Sequence, residues 1–139
     1  MRIAIFDFDR TILPYDSTRP LINFLPLNVL NKIYFYFISF FCKLNIISNS
    51  NYKLLLLKLL LNELPENTYY SYSLGFGHKL KSDLCSALTN KFSDYDQVHV
   101  ISASFTSYIK IALDDFHVIT NGTSEIVDGF RCLHGSEKY

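Results

Sequence analysis

Ile3-Ala4-Ile5-Phe6-Asp7-Phe8-Asp9-Arg10-Thr11 decides the fold of this 139-residue chain. Ile3 to Phe6 is a short apolar run of the kind that forms a buried strand. Two aspartates follow it at once. Crowded carboxylates oppose each other's ionisation and are costly to bury, so such a pair after a core strand implies a use for it. In extended backbone, residues i and i+2 point the same way. Asp7 and Asp9 are therefore expected to project together from the carboxyl end of a first strand. In open α/β sheets that edge is where ligands bind. The alternative reading of the pattern is an Asp-rich turn with a capping threonine.

The rest of the chain supplies partners for that strand. Val98-His99-Val100-Ile101 reads as a second buried strand and His117-Val118-Ile119-Thr120 as a third. Between them, after Ser102-Ala103-Ser104, Phe105, Ile109, Ala112 and Phe116 recur at roughly helical spacing. Residues 16–92 read as an all-helical block. Ser17 or Thr18 caps its first helix, with Pro20 in the first turn and Pro26 as the stop. An aromatic-rich helix follows from Asn28 to about Asn45, then a loop at Ile47–Asn51 and a leucine-rich helix from Tyr52 to Asn62. Gly75-Phe76-Gly77 is expected to be a break or hinge, and His78–Phe92 a further helix. Asp128-Gly129 is a hairpin-type turn signal. The aromatic and leucine stripes read as core.

This order predicts an α/β fold: a Rossmann-like parallel sheet with an inserted all-helical cap. The core is residues 1–15 and 93–139, and the cap is residues 16–92.

Composition narrows the function. Hydrophobic residues make up 49% of the chain, with 12 Phe and 10 Tyr, so the chain can build a core. Thirteen basic residues balance thirteen acidic ones, and no basic excess points to nucleic acid. Cys42, Cys85 and Cys132 form no CxxC pair, so neither a zinc site nor a disulfide framework is signalled. The apolar run after Arg2 is too short for a signal peptide, and a cytoplasmic location is expected. Ile33–Cys42 is strongly apolar but is closed by Lys32 and Lys43 after ten residues, short of the ~20 that span a bilayer. Contact with a membrane surface is the less favoured reading. Asn121-Gly122-Thr123 matches a glycosylation sequon, which means little without a secretory signal.

The chain resembles the haloacid dehalogenase superfamily, mostly magnesium-dependent phosphohydrolases. Residues 3–12 resemble its first motif, Val98–Ser104 its second, and Gly135-Ser136-Glu137-Lys138 the approach to its third. The likeness is closest to the phosphoserine-phosphatase-like branch, whose helical cap lies between motifs one and two. The resemblance implies Asp7 as nucleophile, Asp9 as general acid and then base, and Mg²⁺ held by the Asp7 carboxylate and the Asp9 carbonyl. It also implies Ser102, with N–H groups of Ala103 and Ser104 opening a helix, as the phosphate site, and Lys138 as the cation on the phosphoryl oxygens. Read from the residues alone, Ser102 is equally a helix cap and Lys138 a solvated charge. Thr11 is expected to fix the motif-one loop through hydroxyl-to-backbone bonds. Arg19 is the one candidate for substrate recognition.

Two departures from the family stand out. Arg10 occupies a position where glycine is commonest. The fourth motif, a Gly-Asp pair with a further acidic residue, has no counterpart before Tyr139; Asp94, Asp96, Asp114 and Asp115 sit at a turn or a helix end. The expectation is a truncated phosphomonoester hydrolase with impaired activity in these residues, or one completed by a partner chain. The alternative is a catalytically dead fragment or interaction module on the same fold. A small phosphorylated substrate is expected. The close-set Tyr34, Phe35, Phe37, Phe40 and Phe41 make a lipid-like phosphate the alternative.

Overall fold

The computed structural model describes residues 1–123 and Glu125. Lys138 with its Gly135–Lys138 context, and the Asp128-Gly129 turn, lie outside the described residues. Three strands, β1 (Ile3–Asp7), β2 (Gln97–Phe105) and β3 (Val118–Thr123), form one parallel sheet in the order β1-β2-β3. Among the described residues there are six helices: α1 (Thr18–Phe24), α2 (Val29–Lys43), α3 (Asn49–Glu63), α4 (Glu66–Leu80), α5 (Ser86–Thr89) and α6 (Thr106–Ala112). Five lie between β1 and β2, and α6 links β2 to β3. The protein is mixed α/β, with the order of elements that the sequence predicts.

Pairing aligns Ala4 with Val98 and Phe6 with Val100, so one face of the sheet is apolar and packs under the helices. Buried residues of that face and of the helical block, including Phe8, Leu21, Phe35, Leu56, Phe76, Val100 and Tyr108, form one continuous cluster. On the opposite face Ile5, His99 and Ile119 stand in one row. Ile5 and Ile119 are exposed there among the described residues.

Side-chain caps start two of the helices. Asn28 Oδ1 accepts the Asn31 N–H at 2.8 Å and starts α2. Ser48 Oγ accepts the Asn51 N–H at 3.2 Å, so α3 begins at Asn49 and the expected Ile47–Asn51 loop is shorter than predicted. Gly75-Phe76-Gly77 is not a break: α4 runs through it. The glycine at 77 serves packing instead, because a Cβ there would lie 2.7 Å from both the Tyr108 carbonyl oxygen and Ile111 Cβ of α6. His78–Phe92 is not one helix either. α4 stops at Leu80, and the Cys85 N–H donates to the Ile12 carbonyl at 2.8 Å, where a helix would have used it internally. Lys81, just past the end of α4, pairs with Asp114 and Asp115 beyond α6.

Two further expectations are corrected. Ser102–Ser104 do not open a helix; β2 continues to Phe105, α6 begins at Thr106, and Phe116 lies beyond it. The leucine stripe of α3 is core, through Leu56, Leu57 and Leu60, but the aromatic stripe of α2 is not. Only Phe35 and Ile38 of α2 are buried, while Tyr34, Tyr36, Phe37 and Phe40 are exposed.

Candidate functional site

At the carboxyl ends of β1 and β2 the chain forms a cavity of about 960 Å³. Asp7, Asp9, Ser102, Ala103 and Ser104 line one side of it, and Arg10, Asp16, Thr18, Arg19 and Lys53 also reach it. The two aspartates and the serine-containing strand end thus meet although more than ninety residues separate them.

The motif-one loop is held by backbone bonds. β1 ends at Asp7, and the chain turns at Phe8, whose buried ring anchors it. The Leu13 N–H donates to the Phe8 carbonyl at 2.9 Å, and the Arg10 N–H to the Tyr15 carbonyl at 3.3 Å. Arg10 has φ 60, the left-handed region that glycine occupies without strain. That accounts physically for the unusual residue: the backbone keeps a glycine-like shape although a side chain is present. Thr11 is exposed, lies outside the cavity wall, and its hydroxyl makes no hydrogen bond among the described residues. The expected hydroxyl-to-backbone tie is therefore corrected; the loop is fixed by the bonds just given and by Asp9.

Asp9 is the centre of the site. Its Oδ1 accepts the Ser17 N–H at 2.9 Å, and its Oδ2 accepts the hydroxyls of Ser104 and, at 3.5 Å, Ser102. The Ser104 N–H, expected to be available to phosphate, donates instead to Ser102 Oγ at 3.0 Å. Ser102 and Ser104 share a face because they are two apart in extended backbone, beside an irregularity in the β2–β3 pairing between Ile101 and Phe105. Behind them Ser17 Oγ donates to Ser104 Oγ at 3.2 Å and stands 2.8 Å from the Tyr108 hydroxyl. A hydroxyl carries one proton. With Ser17 donating to Ser104, Tyr108 donates to Ser17, so a directed chain runs Tyr108, Ser17, Ser104, Asp9. Burial, then the Asp9 charge, pushes the Tyr108 phenol well up, which keeps it a neutral donor.

Asp7 differs from Asp9 in being exposed at the cavity; its Oδ1 accepts the Phe8 N–H at 2.9 Å. Positive charge comes from Arg10 on the loop and from the helices. Lys53 of α3 is buried, donates to Thr18 Oγ1 at 2.8 Å, and lies 5.6 Å from the centre of the Phe105 ring. Arg19 is exposed on α1 at the same cavity. Tyr52, beside Lys53, is pushed up to about 12, chiefly by burial.

Among the described residues no group of three His, Cys, Asp or Glu side chains could hold a metal ion. Magnesium, however, keeps several waters and needs only one or two carboxylates beside substrate phosphate oxygens. Asp7, whose carboxylate is exposed at the cavity, meets the one-carboxylate part of that lesser requirement, and the Asp9 carboxylate oxygens accept from Ser17, Ser102 and Ser104. Asp16, Ser17, Thr18, Lys53 and Tyr108 are site residues that the sequence reading did not single out. Lys53 carried a signal, since it shares the i, i+3, i+4, i+7 face with Leu56, Leu57 and Leu60.

Compared with family models, with characterised proteins and with solved structures, the chain gives no match.

Proposed function

We propose that the protein is a magnesium-dependent phosphomonoester hydrolase of the haloacid dehalogenase type, working through an aspartyl-phosphate on a Rossmann-like sheet with a helical cap. The observation that carries the reading is the meeting of Asp7, Asp9 and Ser102 at one cavity, with Asp9 hydrogen-bonded to a serine 93 residues away in sequence.

The exposed Asp7 is the nucleophile. One of its carboxylate oxygens attacks phosphorus, the ester P–O bond breaks, and the leaving oxygen takes a proton from Asp9. Water then attacks the phosphorus of the aspartyl-phosphate, gives its proton to Asp9, and frees phosphate and Asp7. Asp9 suits the second role because Ser17, Ser102 and Ser104 fix its carboxyl in one orientation. Bound magnesium supplies the charge neutralisation that lets a carboxylate approach a phosphate dianion. Lys53 and Arg19 offer hydrogen bonds and positive charge to phosphoryl oxygens, while the Ser102 hydroxyl, given to Asp9, acts by holding that carboxyl. In the resemblance, Lys138 shares that duty.

Phosphate release from a panel of phosphomonoesters, with magnesium and with chelator, tests the proposal. Magnesium-dependent release that Asp7→Asn abolishes is expected. Release at an unchanged rate in that variant removes Asp7 from the chemistry.

A further inference from the structure

The outer face of α2 has no partner among the described residues. Counting about 100° per residue, Leu30, Ile33, Phe37, Phe40 and, at the helix end, Leu44 fall within an arc of about 80°. Each is more than half exposed: Leu30 76%, Ile33 58%, Phe37 59%, Phe40 56% and Leu44 53%. Tyr34 and Tyr36 stand on the two borders of this stripe, apolar in the ring and polar at the tip. Lys32, Ser39 and Lys43 lie together on one flank, and Ser39 and Lys43 also line the site cavity. The helix contains no Asp or Glu. The apolar stripe therefore runs beside the cavity, with a basic flank between them.

We propose that α2 docks on an anionic lipid bilayer, its Leu30–Leu44 stripe entering the acyl boundary while Lys32 and Lys43 meet the headgroups. Three features select a bilayer over another occupant. An apolar helix face bordered by aromatics and flanked by lysines is the pattern of helices that lie in the membrane interface. The absence of carboxylates on α2 complements anionic headgroups but offers a basic protein face nothing. At 15 residues the helix is roughly 22 Å long, and no helix of the described residues is long and apolar enough to cross a membrane. α2 thus lies on the surface and does not span. Seated this way, the cavity wall formed by Ser39 and Lys43 sits at headgroup depth. On the hydrolase reading, which this consequence requires, the substrate is then a phosphorylated lipid.

The test is flotation of the full chain with phosphatidylcholine vesicles, with and without phosphatidylglycerol. The protein should float with the anionic vesicles and less with the neutral ones. The triple variant Ile33→Ser, Phe37→Ser, Phe40→Ser should bind at least about tenfold more weakly with an unchanged circular dichroism spectrum. Ile119→Ser, which alters an exposed isoleucine on the sheet, should leave binding intact. Asp7→Asn should also bind as the parent does, which separates this inference from the hydrolase reading. Failure to float with either vesicle, or equal binding by the triple variant, overturns the proposal. So does a dimer in solution that the triple variant dissolves while neither protein floats, since α2 would then be a contact between copies of this chain.

Discussion

Gly77→Ala tests the packing that the site depends on. In an isolated helix, alanine is favoured over glycine by about 1 kcal/mol. Here the new Cβ would stand 2.7 Å from the Tyr108 carbonyl oxygen and 2.7 Å from Ile111 Cβ, where ordinary contact begins at 3.4 Å. α6 must therefore retreat by some 0.7 Å, the difference of those distances. That loosens the Phe76–Tyr108 ring contact, with centroids 5.2 Å apart. Overpacking of this kind costs about 1–3 kcal/mol, which offsets the propensity gain and leaves a net loss of up to about 2 kcal/mol. Gly75→Ala supplies the internal control. Its Cβ would meet Phe24 Cζ at 3.6 Å, an ordinary contact, and the variant should gain up to about 1 kcal/mol. Urea unfolding followed by far-ultraviolet circular dichroism reads both at once. A Gly77→Ala protein that gains the roughly 1 kcal/mol of an open helix position, or a Gly75→Ala protein that falls as far as Gly77→Ala, would refute the close approach of α4 and α6.

Other expectations follow from the same geometry. Tyr108→Phe removes the donor at the head of the buried hydroxyl chain and should cost about 1–2 kcal/mol; combined with Ser17→Ala the loss should be smaller than the sum, as a double-mutant cycle in urea will show. Arg10→Gly relieves a left-handed backbone and should stabilise by up to about 1 kcal/mol after the added chain entropy of glycine is counted, read as a higher urea midpoint. Glu125 accepts from Tyr69, at 2.6 Å, and from Ser107, and burial raises its pKa above the ordinary 4.5. A raised carboxyl binds its proton more tightly in the folded state. Its contribution is full below pH 4.5 and is lost as pH rises through the raised value. Glu125→Gln should flatten that fall in a series of urea midpoints; an unchanged slope would remove Glu125 as its source.

Much of this arrangement is legible in the sequence, for identifiable reasons. Ile3–Phe6 is a continuous apolar run and Val98–Ile101 one broken only by His99, which marks both as strands, and the helical block between them forces a parallel crossover. The buried reading of β1 holds on one face alone, since Ile3 and Ile5 are exposed among the described residues. The aspartates follow from their position at the strand end. The misreadings share a cause: each turns on a partner distant in the chain. Gly75 and Gly77 look like a hinge until Tyr108 and Ile111 are seen against Gly77. Ser102–Ser104 look like a helix start because what carries β2 past them, the Phe105–Thr123 pairing and the bond from Thr123 Oγ1 to the Ala103 carbonyl, is not local. Ser17 occupies a helix-cap position, yet its hydroxyl serves Ser104 and Tyr108 and makes no bond to the helix end. The stripe of α2 has the composition of a core helix, and composition does not tell which apolar face finds a neighbour.

The central claim is that Asp7 carries the phosphoryl group. It is tested most directly by acid-quenching the protein during reaction with a phosphomonoester and magnesium, then mapping the modified peptide by mass spectrometry. One phosphoryl group on Asp7, acid-stable and labile to hydroxylamine, is expected, and none in Asp7→Asn. Phosphate release by the parent protein with no phosphoryl group on Asp7, or with the group on another residue, would contradict it.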